Sequence, residues 1–200
     1  MTARATARYA GCLAAIVLLL GSAACSQDPN SVAAQAKAGD QKGYVSGDGA
    51  VETIPMADRA EPVKLKGALL DGTRWDSASA RGEALVVNVW GSWCAPCVAE
   101  APELQKVWSD LELEDAPVQF IGIDFREEAA RGAAFAKKAG ITYPSLSDES
   151  GVLILEPQGK APTVPTTLVL DTLGRIAARV NGPVSASTLR GLVDDVLAEP

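Results

Sequence analysis

Two cysteines separated by two residues, Cys94 and Cys97, are the side chains in this chain best suited to chemistry. They follow a β-branched apolar run, Ala84–Trp90, which predicts a buried strand, and they open a segment with helical apolar spacing to about Leu111. The unpaired N–H groups at a helix start favour a thiolate at Cys94. Cys97, three residues later, lies within disulfide reach, so the pair predicts a redox centre. The predicted apolar stripe of this helix is Val98, Ala101, Leu104, Trp108 and Leu111.

The composition excludes several other chemistries. The 200 residues contain no histidine, which removes Ser-His and Cys-His nucleophile pairs and His-ligated metal sites. A zinc site needs about four ligands, and two thiols do not supply them. The net charge of −7, without a basic cluster, argues against a nucleic-acid partner. A purely structural disulfide remains an alternative, although it rarely sits at a helix start beneath a tryptophan.

The amino terminus has the pattern of an export signal. Arg4 and Arg8 precede an apolar centre, Gly11–Leu20, that is too short for a comfortable membrane span. We therefore predict a signal peptide over residues 1–24. Small residues ending at Cys25 resemble a bacterial lipoprotein signal, which predicts a lipid anchor on Cys25 at the outer face of the cytoplasmic membrane. Ser22 and Ala24 also fit an ordinary signal peptidase, and the alternative is a secreted protein.

The segment after Cys25 is predicted to be a tether. It is rich in Gln, Asp, Gly, Ser and Ala and has no sustained apolar period, so residues 25–62 are interpreted as the anchor cysteine and a flexible linker. The linker places a folded domain, residues 63–200, clear of a membrane surface. Val51–Ile54 has a pattern that also permits a short strand packed on this domain.

The rest of the chain predicts an α/β domain with a mixed central sheet, helices on both faces and an amino-terminal hairpin. Residues 141–164 are less regular and form an insertion before the strand at Thr166, with an apolar turn or strand at 152–155. The hairpin is predicted to consist of Val63–Leu70 and Thr73–Ser77. Further strands are predicted at 118–124, 166–170 and 176–180, and further helices at 127–139 and 185–199.

These features together resemble the thioredoxin fold. The pattern of this fold is a strand followed by Trp93-Cys94-Ala95-Pro96-Cys97 and a helix, with Val164-Pro165-Thr166 later in the chain. More narrowly, the run Trp93–Pro102 is similar to the membrane-anchored extracytoplasmic thiol-disulfide oxidoreductases of the ResA/TlpA type. The resemblance covers roughly residues 63–200. No cysteine has the Pro-x-x-x-Thr-x-x-Cys context of a peroxiredoxin.

The resemblance implies roles for residues around the cysteines. It places a carboxylate at Glu100 that tunes proton transfer to Cys97, whereas helix position alone predicts a solvated glutamate. Asn88 stands where cytoplasmic thioredoxins keep a buried aspartate, which is consistent with Glu100 taking the acid-base task. The resemblance implies that Trp93 shields the cysteines, whereas on its own this tryptophan could simply cap the core. The bond before Pro165 is cis, and the backbone of Val164 pairs with the substrate chain. The resemblance also implies a kink at Pro102.

The implied activity is protein disulfide oxidoreduction without a cofactor. Cys94 attacks a substrate disulfide and Cys97 resolves the mixed disulfide. Little besides the helix terminus stabilises the thiolate, so we predict a reductant rather than a strong oxidant. The resemblance implies a transmembrane electron donor of the CcdA type and apocytochrome c as the leading substrate. The alternatives are a general disulfide oxidase or isomerase, and a surface binding module without redox turnover.

Overall fold

A six-stranded mixed sheet forms the centre of the computed structural model, which describes residues 50–200. The strands are β1 (Ala50–Thr53), β2 (Lys66–Ala68), β3 (Arg74–Asp76), β4 (Ala84–Trp90), β5 (Val118–Phe125), β6 (Ser145–Asp148), β7 (Thr166–Leu170) and β8 (Ile176–Asn181). The order in the central sheet is β1-β8-β7-β4-β5-β6, and β4, β5 and β6 run parallel while β7, β8 and β1 pair antiparallel. A separate hairpin joins β2 and β3.

Three α-helices follow the predicted pattern: α1 (Ala95–Leu113), α2 (Ala129–Ala139) and α3 (Ala186–Leu197). Helix α2 ends at Gly140, whose φ of 72° is the left-handed conformation that glycine adopts without steric cost. Helix α3 begins after Ser185, whose hydroxyl accepts a hydrogen bond from the Thr188 N–H. The predicted helix and strand positions are therefore confirmed to within a few residues. No helix among residues 50–200 is long and apolar enough to cross a membrane.

The prediction of helices on both faces of the sheet is met by α-helices on one face and by 3-10 turns on the other. Helices α1 and α3 share one core with the sheet. Helix α2 approaches the same face, because Gly132 packs on Asp124 and Phe135 on Trp90. The connections from β4 to β5 and from β5 to β6 cross the sheet in the same direction. Because crossovers between parallel strands share the same hand, their helices, α1 and α2, lie on the same side of the sheet.

The opposite face of the sheet is covered by irregular structure. Its core includes Val63 and Leu65 before the hairpin, the 3-10 turn Ser77–Ala80, and the turn Leu153–Leu155 in the predicted insertion. Residues 141–164 also contain β6, which no apolar pattern in the sequence predicts. In the part of the chain that the structure describes, this face carries 3-10 turns rather than α-helices.

The predicted tether is shorter than expected at its carboxyl end. Ala50–Thr53 pairs with β8, and the Ile54 N–H donates to the Ala177 carbonyl, so the alternative of a short strand is confirmed. The guanidinium of Arg59 then bonds Asp171 and Glu199. Because backbone pairing and a buried ion pair hold residues 50–62, they belong to the domain and not to a linker. Residues 1–24, Cys25 and the remaining tether lie outside the described residues.

Candidate active site

Three segments meet at one edge of the central sheet. The parallel strands β4 and β5 end together, with Trp90 opposite Asp124. Strand β7 runs antiparallel to β4, so its first residue, Thr166, lies opposite Val89 at the same edge. The cysteines follow β4 and the Val164–Pro165 bond precedes β7, which brings together two motifs about 70 residues apart in sequence.

Cys94 and Cys97 form a disulfide with their Cα atoms 5.3 Å apart. Cys94 is the N-cap residue of α1, and its Sγ accepts a hydrogen bond from the Cys97 N–H at 3.3 Å. An N–H directed at the sulfur stabilises a thiolate there when the disulfide is reduced. The pair belongs to a hydrophobic cluster with Trp90, and the apolar side chains of Leu70, Phe135, Ala136 and Val164 pack against this cluster. The predicted position of the pair at the helix start is confirmed.

Glu100 is buried, with 3% of its surface exposed. Its Oε1 accepts from the Asn88 Nδ2 at 3.1 Å, and its Oε2 accepts from the Val184 N–H at 3.0 Å. Burial raises the pKa of Glu100 to about 7, and the two hydrogen bonds act in the opposite direction. The expectation of a solvated glutamate from helix position alone is therefore wrong, because α1 turns this face toward β4.

Asn88 connects Glu100 to the sheet. Its amide also donates to the Thr167 hydroxyl on β7 at 3.1 Å, so both amide protons have acceptors. A neutral amide at this strand position leaves Glu100 as the titratable group of the network. This arrangement is compatible with the predicted acid-base task, and the catalytic role itself stays a prediction.

The two tryptophans beside the cysteines have different environments. Trp93 has 52% of its surface exposed, and its Nε1 donates to the Phe125 carbonyl at 3.0 Å. Trp90 is buried, packs on the cysteine pair and donates to the Ser145 hydroxyl. Trp90 is therefore a core residue. Trp93 presents an exposed aromatic face next to Cys94, as a substrate-contacting residue would.

The peptide bond between Val164 and Pro165 is cis, which confirms the expectation from the resemblance. Pro165 is buried, and Val164 is half-buried against the cysteine cluster. Val164 therefore lies next to the cluster that holds the disulfide, just before the start of β7. Substrate pairing at Val164 stays a prediction.

The predicted stripe on α1 contains one error. Val98 is 43% exposed, whereas Val107, which was not predicted, lies in the core with Leu104 and Leu111. Val98 is in the first turn, beyond the edge of the sheet, so the core does not reach it. Pro102 lies inside α1 as expected.

Three further residues near the cysteines were not found from the sequence: Ser92, Asp124 and Glu127. Ser92 lies two residues before Cys94 and donates two hydrogen bonds to the buried Glu127. Asp124 is fully buried at the end of β5. A carboxylate closing an apolar strand, with a second one three residues later, was the signal that could have identified the pair. Among residues 50–200, no group of three or more His, Cys, Asp or Glu is placed to hold a metal ion.

Comparison with known proteins identifies related chains. Residues 56–179 match the family model of the AhpC/TSA family. The chain is 30% identical over 149 residues to the thiol:disulfide interchange protein HelX of Rhodobacter capsulatus, covering 74% of this chain and 81% of HelX. It is 30% identical over 195 residues to the thiol:disulfide interchange protein DsbE of Vibrio cholerae, covering 94% of both chains.

Solved structures show the same architecture. A secreted thiol-disulfide isomerase from Corynebacterium glutamicum superposes with a TM-score of 0.70 at 27% identity, covering 78% of this chain and 98% of that chain. The thioredoxin-like fold predicted from the sequence, with its mixed sheet, is thereby confirmed.

Proposed function

Since the chain belongs to the AhpC/TSA family and is a thiol-disulfide oxidoreductase, we propose that Cys94 is its attacking cysteine and Cys97 its resolving cysteine. The observation that carries this assignment is the Cys97 N–H donating to the Cys94 Sγ at the start of α1. Of the two sulfurs, the one at the N-cap, Cys94 Sγ, receives this hydrogen bond. The thiolate is therefore favoured at Cys94.

The proposed reaction has two exchanges. The Cys94 thiolate attacks a substrate disulfide, forms a mixed disulfide and releases one substrate thiolate. The Cys97 thiol gives its proton to Glu100 and attacks the Cys94 sulfur, which forms the intramolecular disulfide and releases the second substrate thiolate. Two electrons pass from the enzyme to the substrate. Glu100, with a pKa near 7, is suited to accept a proton at neutral pH.

The surroundings of the cysteines favour reduction of substrates over oxidation. Apolar side chains pack on the pair, so the reduced thiolate form gains little stabilisation beyond the helix terminus. We expect an equilibrium reduction potential below about −230 mV, at the reducing end of the thioredoxin-like range. Equilibration with glutathione or dithiothreitol buffers measures it, and a value near about −120 mV would reverse the direction.

We place the reaction outside the cytoplasm. The relatives are interchange proteins and the similar solved structure is described as secreted, which agrees with the export signal predicted for residues 1–24. The proposed anchor is a lipid on Cys25, which mass spectrometry of the mature amino terminus detects; an unmodified terminus after Ala24 would identify a secreted protein. A reductant in this compartment needs electrons from across the membrane, so the proposed donor is a transmembrane carrier of the CcdA type.

The proposed substrate is the cysteine pair of apocytochrome c before haem attachment, in line with the resemblance to the ResA/TlpA type. Deletion of the gene is expected to remove covalently haem-stained cytochromes, because an oxidised cysteine pair cannot take haem. An external thiol reductant restores them by replacing the missing electrons. Normal cytochrome c in the deletion strain would exclude this substrate while leaving the disulfide-exchange activity in place.

A further inference from the structure

The carboxyl group of Asp124 is buried without a donor. The residue is 0% exposed at the end of β5, and neither of its side-chain oxygens receives a hydrogen bond from the described residues. An ionised carboxylate in this situation carries a large desolvation cost. A proton on Asp124 removes the charge and turns the group into a donor.

The group that faces Asp124 is a second carboxylate, Glu127. Glu127 is itself buried, and both of its oxygens accept hydrogen bonds from Ser92: the backbone N–H and the hydroxyl each lie at 2.5 Å. Glu127 thus has donors that favour its ionised form, while Asp124 has none. A proton shared by the two carboxyl groups therefore resides on Asp124, and the protonated carboxyl group donates a hydrogen bond to the carboxylate of Glu127.

Helix α2 closes over the pair. Gly132 lies so near Asp124 that an added Cβ would come within 1.8 Å of its Oδ2, so only glycine permits this approach. The same helix brings Phe135 to 5.4 Å from Trp90, measured between ring centroids. The pair is therefore sealed from solvent on the side of α2 and lies next to the packing around the cysteines.

The surroundings of the two carboxyl groups also favour a proton on Asp124 and a negative charge on Glu127. Burial, the carboxyl group of Glu127, to which a protonated Asp124 would donate a hydrogen bond, and the negative charges of Glu127 and Glu149 raise the pKa of Asp124 to about 9. Burial opposes ionisation of Glu127 as well, but the carboxyl group of Asp124 and the hydrogen bonds from Ser92, together with Arg131 on α2, hold its pKa below the usual value. These effects together favour a proton on Asp124 and a negative charge on Glu127.

We propose that Asp124 and Glu127 hold one proton between them, and that Glu127, the ionised member, positions Ser92 and so the backbone leading to Cys94. Trp93 adds a third bond between the same segments through the Phe125 carbonyl. Asp124 and Glu127 are positioning residues, because Glu127 acts on the segment before Cys94 through its hydrogen bonds from Ser92. The effect on catalysis rests on the proposed role of Cys94.

The arrangement predicts an alkaline transition. When Asp124 loses its proton, two negative charges face each other in a buried site and repel. The carboxylate of Glu127 then loses the hydrogen bond from Asp124, and the bonds to Ser92 weaken. The loop before Cys94 is released at a pH where the rest of the fold persists.

The test uses the oxidised protein without substrate, so it stands even if the catalytic assignment fails. Carboxyl carbon resonances followed by NMR from pH 3 to 10 are expected to show Asp124 titrating near 9 and Glu127 below its usual value. The exchange rate of the Ser92 amide, corrected for its intrinsic pH dependence, should rise at least about tenfold across the alkaline step. Titration of Asp124 near its usual value overturns the proposal.

Substitutions separate the two roles. Asp124→Asn supplies an amide donor that does not titrate, so the alkaline step disappears and Ser92 stays protected. Glu127→Gln removes the charge and one acceptor, so the Ser92 amide exchanges at least about tenfold faster and disulfide exchange slows about tenfold. Glu128→Gln, an exposed neighbour, changes neither. Equal loss of Ser92 protection in Asp124→Asn and Glu127→Gln, or no loss in Glu127→Gln, contradicts the inference.

Discussion

Replacement of Cys94 by serine is expected to abolish disulfide reduction while leaving the domain folded. A serine hydroxyl is not ionised at neutral pH and cannot form a disulfide, so turnover should fall at least about 10³-fold. The fold is expected to persist because the lost disulfide joins residues only three apart and closes a very short loop. Insulin-disulfide reduction measures the activity, and circular dichroism checks the fold.

The matched control is Cys97→Ser. This variant keeps the attacking thiolate and loses the resolving one, so it is expected to accumulate a mixed disulfide between Cys94 and the substrate. Mass spectrometry detects the adduct in Cys97→Ser and none in Cys94→Ser. The reverse pattern would exchange the two roles. Unchanged biological activity of Cys94→Ser would support the binding-module alternative instead.

Replacement of Glu100 by glutamine is expected to slow the resolving step by about 10²-fold at neutral pH, the usual size of a general acid-base contribution. The amide keeps the shape of the side chain but accepts no proton from Cys97. In the wild-type protein the rate of the resolving step should change near pH 7, where Glu100 titrates, and this change should be absent in Glu100→Gln. Stopped-flow tryptophan fluorescence on a preformed mixed disulfide measures the rate.

Stability provides an independent readout for Glu100. Its pKa is about 7 in the folded protein, above the ordinary value of 4.5. The folded state therefore binds the proton more tightly, and this stabilisation is complete below pH 4.5 and lost as the pH rises to about 7. The shift corresponds to about 3 kcal/mol in the free energy of unfolding. Denaturant unfolding at several pH values should show a smaller decrease for Glu100→Gln than for the wild type.

Glu112→Gln is the matched control, because Glu112 is exposed on the same helix. It is expected to keep the rate, the pH profile and the pH dependence of unfolding. If Glu100→Gln retains the change in rate near pH 7, another group carries the proton, and the assignment of Glu100 as the base fails.

The sequence was informative where short-range periodicity decides structure. The apolar run Ala84–Trp90 and the helical spacing after Cys94 predicted β4 and α1 nearly to the residue, because strand and helix patterns are local. Gly140 marked the end of α2 for a local reason as well. The cis bond before Pro165 came from the resemblance rather than from any physical signal in the residues.

The sequence was uninformative where the partner of a segment decides its structure. Ala50–Thr53 is a strand because β8 offers it an edge, and its own pattern is weak. Strand β6 has four residues and little apolar character, and pairing with β5 defines it. The side of the sheet on which α2 lies depends on the order of the strands, which no helical pattern encodes.

For the site, the sequence by itself determined the chemistry: two thiols at a helix start, no histidine, and a carboxylate one turn later. Only the tertiary structure decided the electrostatics. Glu100 and Asp124 look like ordinary acids in the sequence, but burial of Glu100 between α1 and the sheet and of Asp124 beneath α2 raises the pKa of each, and Ser92 meets Glu127 across 35 residues of chain. Residue types are local properties, whereas desolvation and pairing depend on what the fold brings alongside, and these set when each group gives up its proton.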